Sequence, residues 1–216
     1  MFALGLEFSF KKHDLLYGVL LPSGADACET LARAVGGSEE GFVAMMNQKA
    51  EELGLTNTHF ENCTGLHNDN HYSTCRDIAV LMSECLKSDT FREIVTREVY
   101  TTEATASHPE GITLYDTMLH RFTSYEMSTT LENGAVIEGG KTGFTDEAGQ
   151  CLVSFAEYGG EEYILVTAEA MTDSGFNTIN RIGAFFIVRA KTNIRIKPKT
   201  WKRRLQIGRA SCRERV

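Results

Sequence analysis

A cation, a hydroxyl and a bare backbone position follow one another at Lys141, Thr142 and Gly143, inside the stretch GGKTGFTDEAG of residues 139–149. A short apolar run, 135–137, precedes this stretch, and a strand-like run, 151–158, follows it. Lys-Thr-Gly therefore reads as part of an exposed strand beside a cleft. Side chains alternate along a strand, so Lys141 and Thr142 point to opposite faces. They serve one ligand only if the cleft runs along the strand's edge. Gly143 removes a side chain where another backbone is to approach closely. Such a set suits an extended peptide that ends in a carboxylate. Three letters in a chain of 216 residues also fit a polar strand end, so the chemistry needs a partner elsewhere. Ser23 is the candidate: it follows Pro22 in LLYGVLLPSGADA, residues 15–27, and is placed to open a helix, where serine commonly caps. A lysine in a confined site can hold or tune a serine's proton partner.

These stretches, with NQKAEELGLTNTHF at 47–60 and HYST at 71–74, occur in an order that resembles the serine D-alanyl-D-alanine carboxypeptidases, the low-molecular-mass penicillin-binding proteins. The resemblance covers about residues 14–190. It implies the β-lactamase/transpeptidase-like fold, whose signatures are S-x-x-K, S-D-N and K-T-G. It also implies roles. Ser23 would relay a proton toward the leaving amine, and Lys141 would orient that serine and supply positive charge. Thr142 would hydrogen-bond the substrate's terminal carboxylate beside Gly143. The backbone N–H of Phe144 would form half of an oxyanion hole. The implied substrate is the D-Ala-D-Ala stem peptide of peptidoglycan, opened through an acyl-enzyme, with β-lactams as inhibitors. No cofactor and no metal are implied.

Three departures stand out. The nucleophile motif is expected upstream of the chain's start; Ser9 and Lys12 spell S-x-x-K, but they lie too close to Asp14 to form a separate helix. The usual S-x-N reads Ser23-Gly24-Ala25, so either Asp26 substitutes for the amide or that contact is lost. The Arg that many relatives place shortly after the last strand is missing from 171–176, and Arg181 lies further on. The resemblance thus implies a fragment without its own covalent chemistry. A β-lactamase-type hydrolase and a non-catalytic cell-wall-binding module on the same scaffold are the alternatives.

The elements that must position these groups read as helices first and strands later. Asp14 is placed to cap a helix to about Leu21, which Pro22 breaks. A second helix runs over 25–35 and ends at Gly36-Gly37. Ser38 caps a third to about Leu53, with Phe42, Val43, Met46 and Ala50 on one stripe. Thr74 and Asp77 resemble a capping box for a helix to about Leu86. Residues 91–95 read as one more turn and 98–102 as a short strand, while 108–133 carries no usable pattern. Strands follow over 136–144, 151–158 and 161–170, the last two joined by Gly159-Gly160, a hairpin turn. Residues 175–190 show a helical spacing at Phe176, Ile179, Ile182, Phe185 and Phe186. This order predicts an α+β domain, a helical subdomain plus an antiparallel sheet, incomplete at its N-terminus. An unpaired sheet edge is the expected consequence.

Composition narrows the field. The hydrophobic content of 42% is ordinary for a globular chain. A net charge of −7 argues against general nucleic-acid binding. No apolar run approaches the ~20 residues that span a bilayer, and MFALGLEFSF lacks the basic flank and cleavage site of a signal peptide. Any membrane anchoring would reside in parts absent here, and the resemblance places the parent outside the cytoplasm, at the outer face of the bacterial membrane. The loop 57–72 holds His59, His67, His71, Cys63 and Asp69, a set that reads as a solvated loop and not a metal site. None of the six cysteines forms a C-x-x-C pair; Cys63 and Cys75 flank this loop and are candidates for pairing. Residues 1–193 are read as a partial catalytic domain and 194–205 as the start of a following segment or linker. QIGRASCRERV, 206–216, resembles the translation of a sequencing adapter and is set apart from the fold.

Overall fold

The computed structural model describes residues 11–172, 179–181, 184–189 and 205–206. Six helices and nine strands are arranged in the order α1 (Lys12–Leu20), α2 (Ala25–Gly36), α3 (Glu39–Glu52), β1 (Tyr72–Ser73), α4 (Cys75–Cys85), α5 (Asp89–Val95), β2 (Val99–Thr101), β3 (Thr113–Tyr115), α6 (Leu119–Ser124), β4 (Val136–Thr145), β5 (Gly149–Tyr158), β6 (Glu161–Thr172), β7 (Ile179–Arg181), β8 (Ala184–Arg189) and β9 (Leu205–Gln206) among the described residues.

The caps announced at Ser38, Thr74 and Gly36-Gly37 are in place. Ser38 Oγ accepts from Gly41 N at 3.0 Å, and Thr74 Oγ1 accepts from Asp77 N at 3.1 Å. α2 ends on Gly37 at φ +77°, a conformation that costs glycine no Cβ clash. The Thr74 box is only half reciprocal. The Asp77 carboxylate instead accepts from Asn57 N and Thr58 Oγ1, both at 3.0 Å, and ties the 57–72 loop to α4. Asp14 does not cap α1; Lys11 holds that position without a side-chain bond. Asp14 is buried, 2% exposed, and accepts from Tyr100 Oη at 2.7 Å. The Tyr17 and Tyr100 rings stack beside it, centroids 3.7 Å apart.

Antiparallel β4, β5 and β6 form the centre of the main sheet, and β7 and β8 both pair with β6. β4 lies at the edge of this order among the described residues. The strands Ile179–Arg181 and Ala184–Arg189 stand where the apolar spacing suggested a helix over 175–190, whose other positions lie outside the described residues. Residues 184–188, AFFIV, are a continuous apolar run rich in β-branched and aromatic residues, which also fits a buried strand, and the partner β6 supplies the ladder. Leu205 and Gln206 pair with Ser73 and Tyr72.

On β6 the buried residues are Ile164, Val166, Ala168 and Ala170, every second position, as a half-covered strand requires. Ile164, Val166 and Ala168 pack against Ala79, Met82 and Leu86 of the α4 segment, with Phe155 of β5 and Val95 of α5. Full burial of each Ile or Val side chain is worth roughly 1.5–3 kcal/mol. A second cluster of Tyr17, Leu21, Ile94 and Leu114 seats the end of α1. It fixes the turn that follows, where the chemistry lies.

Candidate active site

The turn between α1 and α2 presents Ser23. Leu21 N bonds Tyr17 O at 3.0 Å and Gly24 N reaches back to Gly18 O at 2.9 Å, wrapping the chain around Pro22 and Ser23. Gly24, not Ser23, occupies the cap position of α2. Ser23 itself adopts φ +62°, a left-handed conformation that few non-glycine residues take. Its hydroxyl is therefore not spent on the helix and is aimed across the cleft instead.

The opposite wall is β4. Lys141 pairs with Val153 and Thr142 with Leu152, which places the Lys-Thr-Gly triplet on the edge strand. Lys141 Nζ donates to Ser23 Oγ and, at 3.0 Å, to the carbonyl of Thr142. Two residues 118 positions apart thus meet. Burial lowers the Lys141 pKa below its ordinary ammonium value, and the negative charge of Asp116 opposes that shift. An ammonium has donors only. Ser23 therefore accepts from Lys141, and its own proton is free to point elsewhere.

Residues that sequence reasoning passed over complete the cleft. The hydroxyls of Thr117 and Thr142 lie 2.5 Å apart. Asp116, 1% exposed, accepts through Oδ1 from Met118 N at 2.8 Å and Leu119 N at 2.6 Å, while its Oδ2 has no hydrogen-bond partner among the described residues. Burial raises its pKa, and those two amides together with Lys141 pull it back. A groove of about 310 Å³ lined by Pro22, Asp116, Thr117, His120 and Arg121, among others, runs alongside. Short-range signal for Asp116 existed, since Asp three residues before a helix start is a common turn former. Nothing local announced its proximity to Lys141.

The remaining candidates are placed as follows. Phe144, 61% exposed, pairs with Gln150 at the open end of β4. Among the described residues no backbone approaches Gly143; a Cβ there would meet only Cys151 Cβ, at 3.8 Å. The close approaches fall three and four residues earlier, at Gly140 against the Val153 carbonyl and at Gly139 against the Val95 carbonyl. Asp26 sits in the first turn of α2, where Oδ1 accepts from Ala27 N at 2.8 Å. Lys12 is exposed at the far end of α1, about 12 Å along the axis from the Ser23 end at 1.5 Å per residue, and Ser9 lies outside the described residues. Arg181 pairs through its backbone with Met171.

Cys63 and Cys75 do not face one another. The Cys28 thiol donates to the Cys63 carbonyl at 2.9 Å and the Cys63 thiol to Glu39 Oε1 at 3.4 Å, while Cys75 belongs to the sheet core beside Cys151. Among the described residues no group of three His, Cys, Asp or Glu is arranged to hold a metal. His71 is buried, not solvated: Nδ1 accepts from Glu61 N at 3.2 Å, and burial lowers its pKa. A second cavity, about 490 Å³, lies between α3 and the 57–72 loop and is lined by Glu39, Glu40, Glu61 and His67 among others, away from the Ser23–Lys141 contact.

The family model described as D-alanyl-D-alanine carboxypeptidase matches residues 2–172. Among curated proteins, the D-alanyl-D-alanine carboxypeptidase DacF of Bacillus subtilis is 36% identical over 169 residues, 78% of this chain and 40% of the relative. That of Streptomyces sp. strain K15 is 38% identical over 157 residues, 70% of this chain and 52% of the relative. The chain thus spans about half or less of the length of the curated relatives it matches. Among solved structures, the Streptomyces K15 DD-transpeptidase is similar at TM-score 0.60 and 34% identity, over 72% of this chain and 58% of that one. The D-alanyl-D-alanine carboxypeptidase of Mycobacterium tuberculosis H37Rv is similar at TM-score 0.68 and 26% identity, over 81% of this chain and 62% of that one.

Proposed function

The chain belongs to the D-alanyl-D-alanine carboxypeptidase family of serine peptidases, and on that premise we propose that it carries the relay and substrate-gripping half of an enzyme that removes the terminal D-Ala from peptidoglycan stem peptides. The contact of Lys141 Nζ with Ser23 Oγ carries this reading. With Lys141 donating, the Ser23 proton is available to the amine that leaves as the D-Ala–D-Ala bond opens. Electrostatic attraction from the same ammonium draws the substrate's terminal carboxylate to the β4 edge. The Thr142 hydroxyl hydrogen-bonds that carboxylate, and Gly143 leaves the edge clear for the peptide to lie along it. The Phe144 amide serves as an oxyanion donor toward an acyl-enzyme whose nucleophile comes from an S-x-x-K helix. Asp26 is the candidate for the contact that an Asn would make at position 25. β-Lactams occupy the same groove because their carboxylate meets the same two groups. The site of action is outside the cytoplasm, where the stem peptide is.

Binding by the chain itself tests the reading. In an NMR titration, a peptide ending in D-Ala-D-Ala should shift the amides of Thr142, Gly143 and Phe144, and its L-Ala-L-Ala counterpart should not. Equal response to both peptides, or none at β4, overturns it.

A further inference from the structure

The two walls of the cleft are far apart in sequence, and one short segment touches both. Thr117 N donates to the carbonyl of Leu21 at 3.2 Å, two residues before Ser23. Thr117 Oγ1 lies 2.5 Å from Thr142 Oγ1 on β4. The segment is anchored from below. Asp116 N donates to Glu98 O at 2.8 Å, the Asp116 carboxylate holds the Met118 and Leu119 amides, and Met118 Sδ lies where a Cβ on Gly140 would reach at 3.1 Å. One Asp116 oxygen is buried and without a hydrogen-bond partner among the described residues, beside a cleft whose cation is Lys141.

We propose that Thr117 and Asp116 are positioning residues of this site: Thr117 aims the Thr142 hydroxyl and locks β4 to the Ser23 turn, and the buried carboxylate of Asp116 is the fixed counter-charge of Lys141. The inference rests on the reading above in one respect, that Thr142 meets a carboxylate. A carboxylate accepts and cannot donate, so Thr142 must be the donor to it. A hydroxyl has one proton. In the Thr117–Thr142 pair, Thr117 is then the donor and Thr142 the acceptor, which leaves the Thr142 proton directed at the ligand. Without Thr117 that hydroxyl rotates freely and the ligand must order it on binding. The charge argument is independent of the ligand. An ammonium confined away from water needs a nearby anion to remain charged. Asp116 supplies one without quenching the donors, because its Oδ1 is already committed to two amides.

Three variants of the 216-residue chain test this: Thr117→Val, Thr117→Ser and Asp116→Asn. Asparagine keeps an oxygen for the Met118 and Leu119 amides, so the segment retains its anchor. Affinity for a peptide ending in D-Ala-D-Ala should fall about five- to tenfold in Thr117→Val, the loss of one oriented hydrogen bond. Thr117→Ser should restore it to within about twofold. The side-chain NMR titration of Lys141 should move to lower pH in Asp116→Asn and stay in place in Thr117→Val. Unchanged affinity in Thr117→Val, or a Lys141 titration that does not move in Asp116→Asn, overturns the proposal. If the unmodified chain binds no such peptide, the stem-peptide reading fails, and the Asp116→Asn titration by itself decides whether the counter-charge exists.

Discussion

Replacing Ser23 by alanine and by glycine separates two contributions that the structure combines at one residue. Both changes delete the hydroxyl that accepts from Lys141. Losing a hydrogen bond to a charged donor costs about 1.5–3 kcal/mol. The two differ in backbone. Ser23 sits at φ +62°, where a Cβ costs about 1–2 kcal/mol, and alanine keeps that cost while glycine removes it. Glycine in turn frees the unfolded chain, which offsets about 0.4–1 kcal/mol of the gain. Ser23→Ala should therefore lower stability by about 2 kcal/mol and Ser23→Gly by about 1 kcal/mol. Urea unfolding with unchanged m-values reads this difference directly. At a helix start with ordinary negative φ the order would reverse, since alanine then has no strain and glycine only an entropic cost. An alanine variant as stable as the glycine variant, or more so, would refute the left-handed turn. Two variants as stable as the unmodified chain would refute the lysine contact.

Further outcomes follow from the same geometry. Burial makes folded Lys141 release its proton below the ordinary value of 10.5, so between the two values the unfolded chain binds more protons and stability rises with pH. The cost is full below the folded value and gone above the ordinary one; Lys141→Met should flatten this alkaline rise, and an unaltered rise would mean the ammonium is not buried. Tyr100→Phe removes the donor to buried Asp14 and should destabilise the chain by about 1.5–3 kcal/mol in thermal or urea unfolding; a change under about 0.5 kcal/mol would show that Asp14 does not depend on it. Lys12 is exposed at the end of α1 remote from Ser23, so a fluorescent penicillin should leave this chain without a covalent label, and a stable adduct at Ser9 would contradict the assignment.

What was legible in the sequence was what local physics decides. Ser38 and Thr74 announce their helices because a cap is a contact over three residues. Gly159 and Gly160, at φ +60° and +78°, announce the β5–β6 hairpin because few other residues take those angles in tandem. The Lys-Thr-Gly triplet could be placed on an edge strand for the same reason, its neighbours being strand-like. What stayed hidden depends on distant partners. Asp14 looks like a cap until Tyr100 is brought over it. Ser23 reads locally as a cap, and only the family resemblance paired it with Lys141, whose ammonium meets its hydroxyl across the cleft. Residues 116–118 show no period at all, because their role is a set of single contacts with Leu21, Glu98 and Thr142, elements that meet only after folding. Residues 184–189 had an apolar spacing compatible with a helix, and the neighbouring β6 edge decided for a strand.

A double-mutant cycle on Ser23→Ala and Lys141→Met, read by urea unfolding, bears most directly on the contact that joins the two walls. Side chains in contact should couple by about 1–3 kcal/mol, so that the second substitution costs little once the first is made. Effects that add to within about 0.5 kcal/mol would place the hydroxyl and the ammonium apart and leave the cleft without its chemistry.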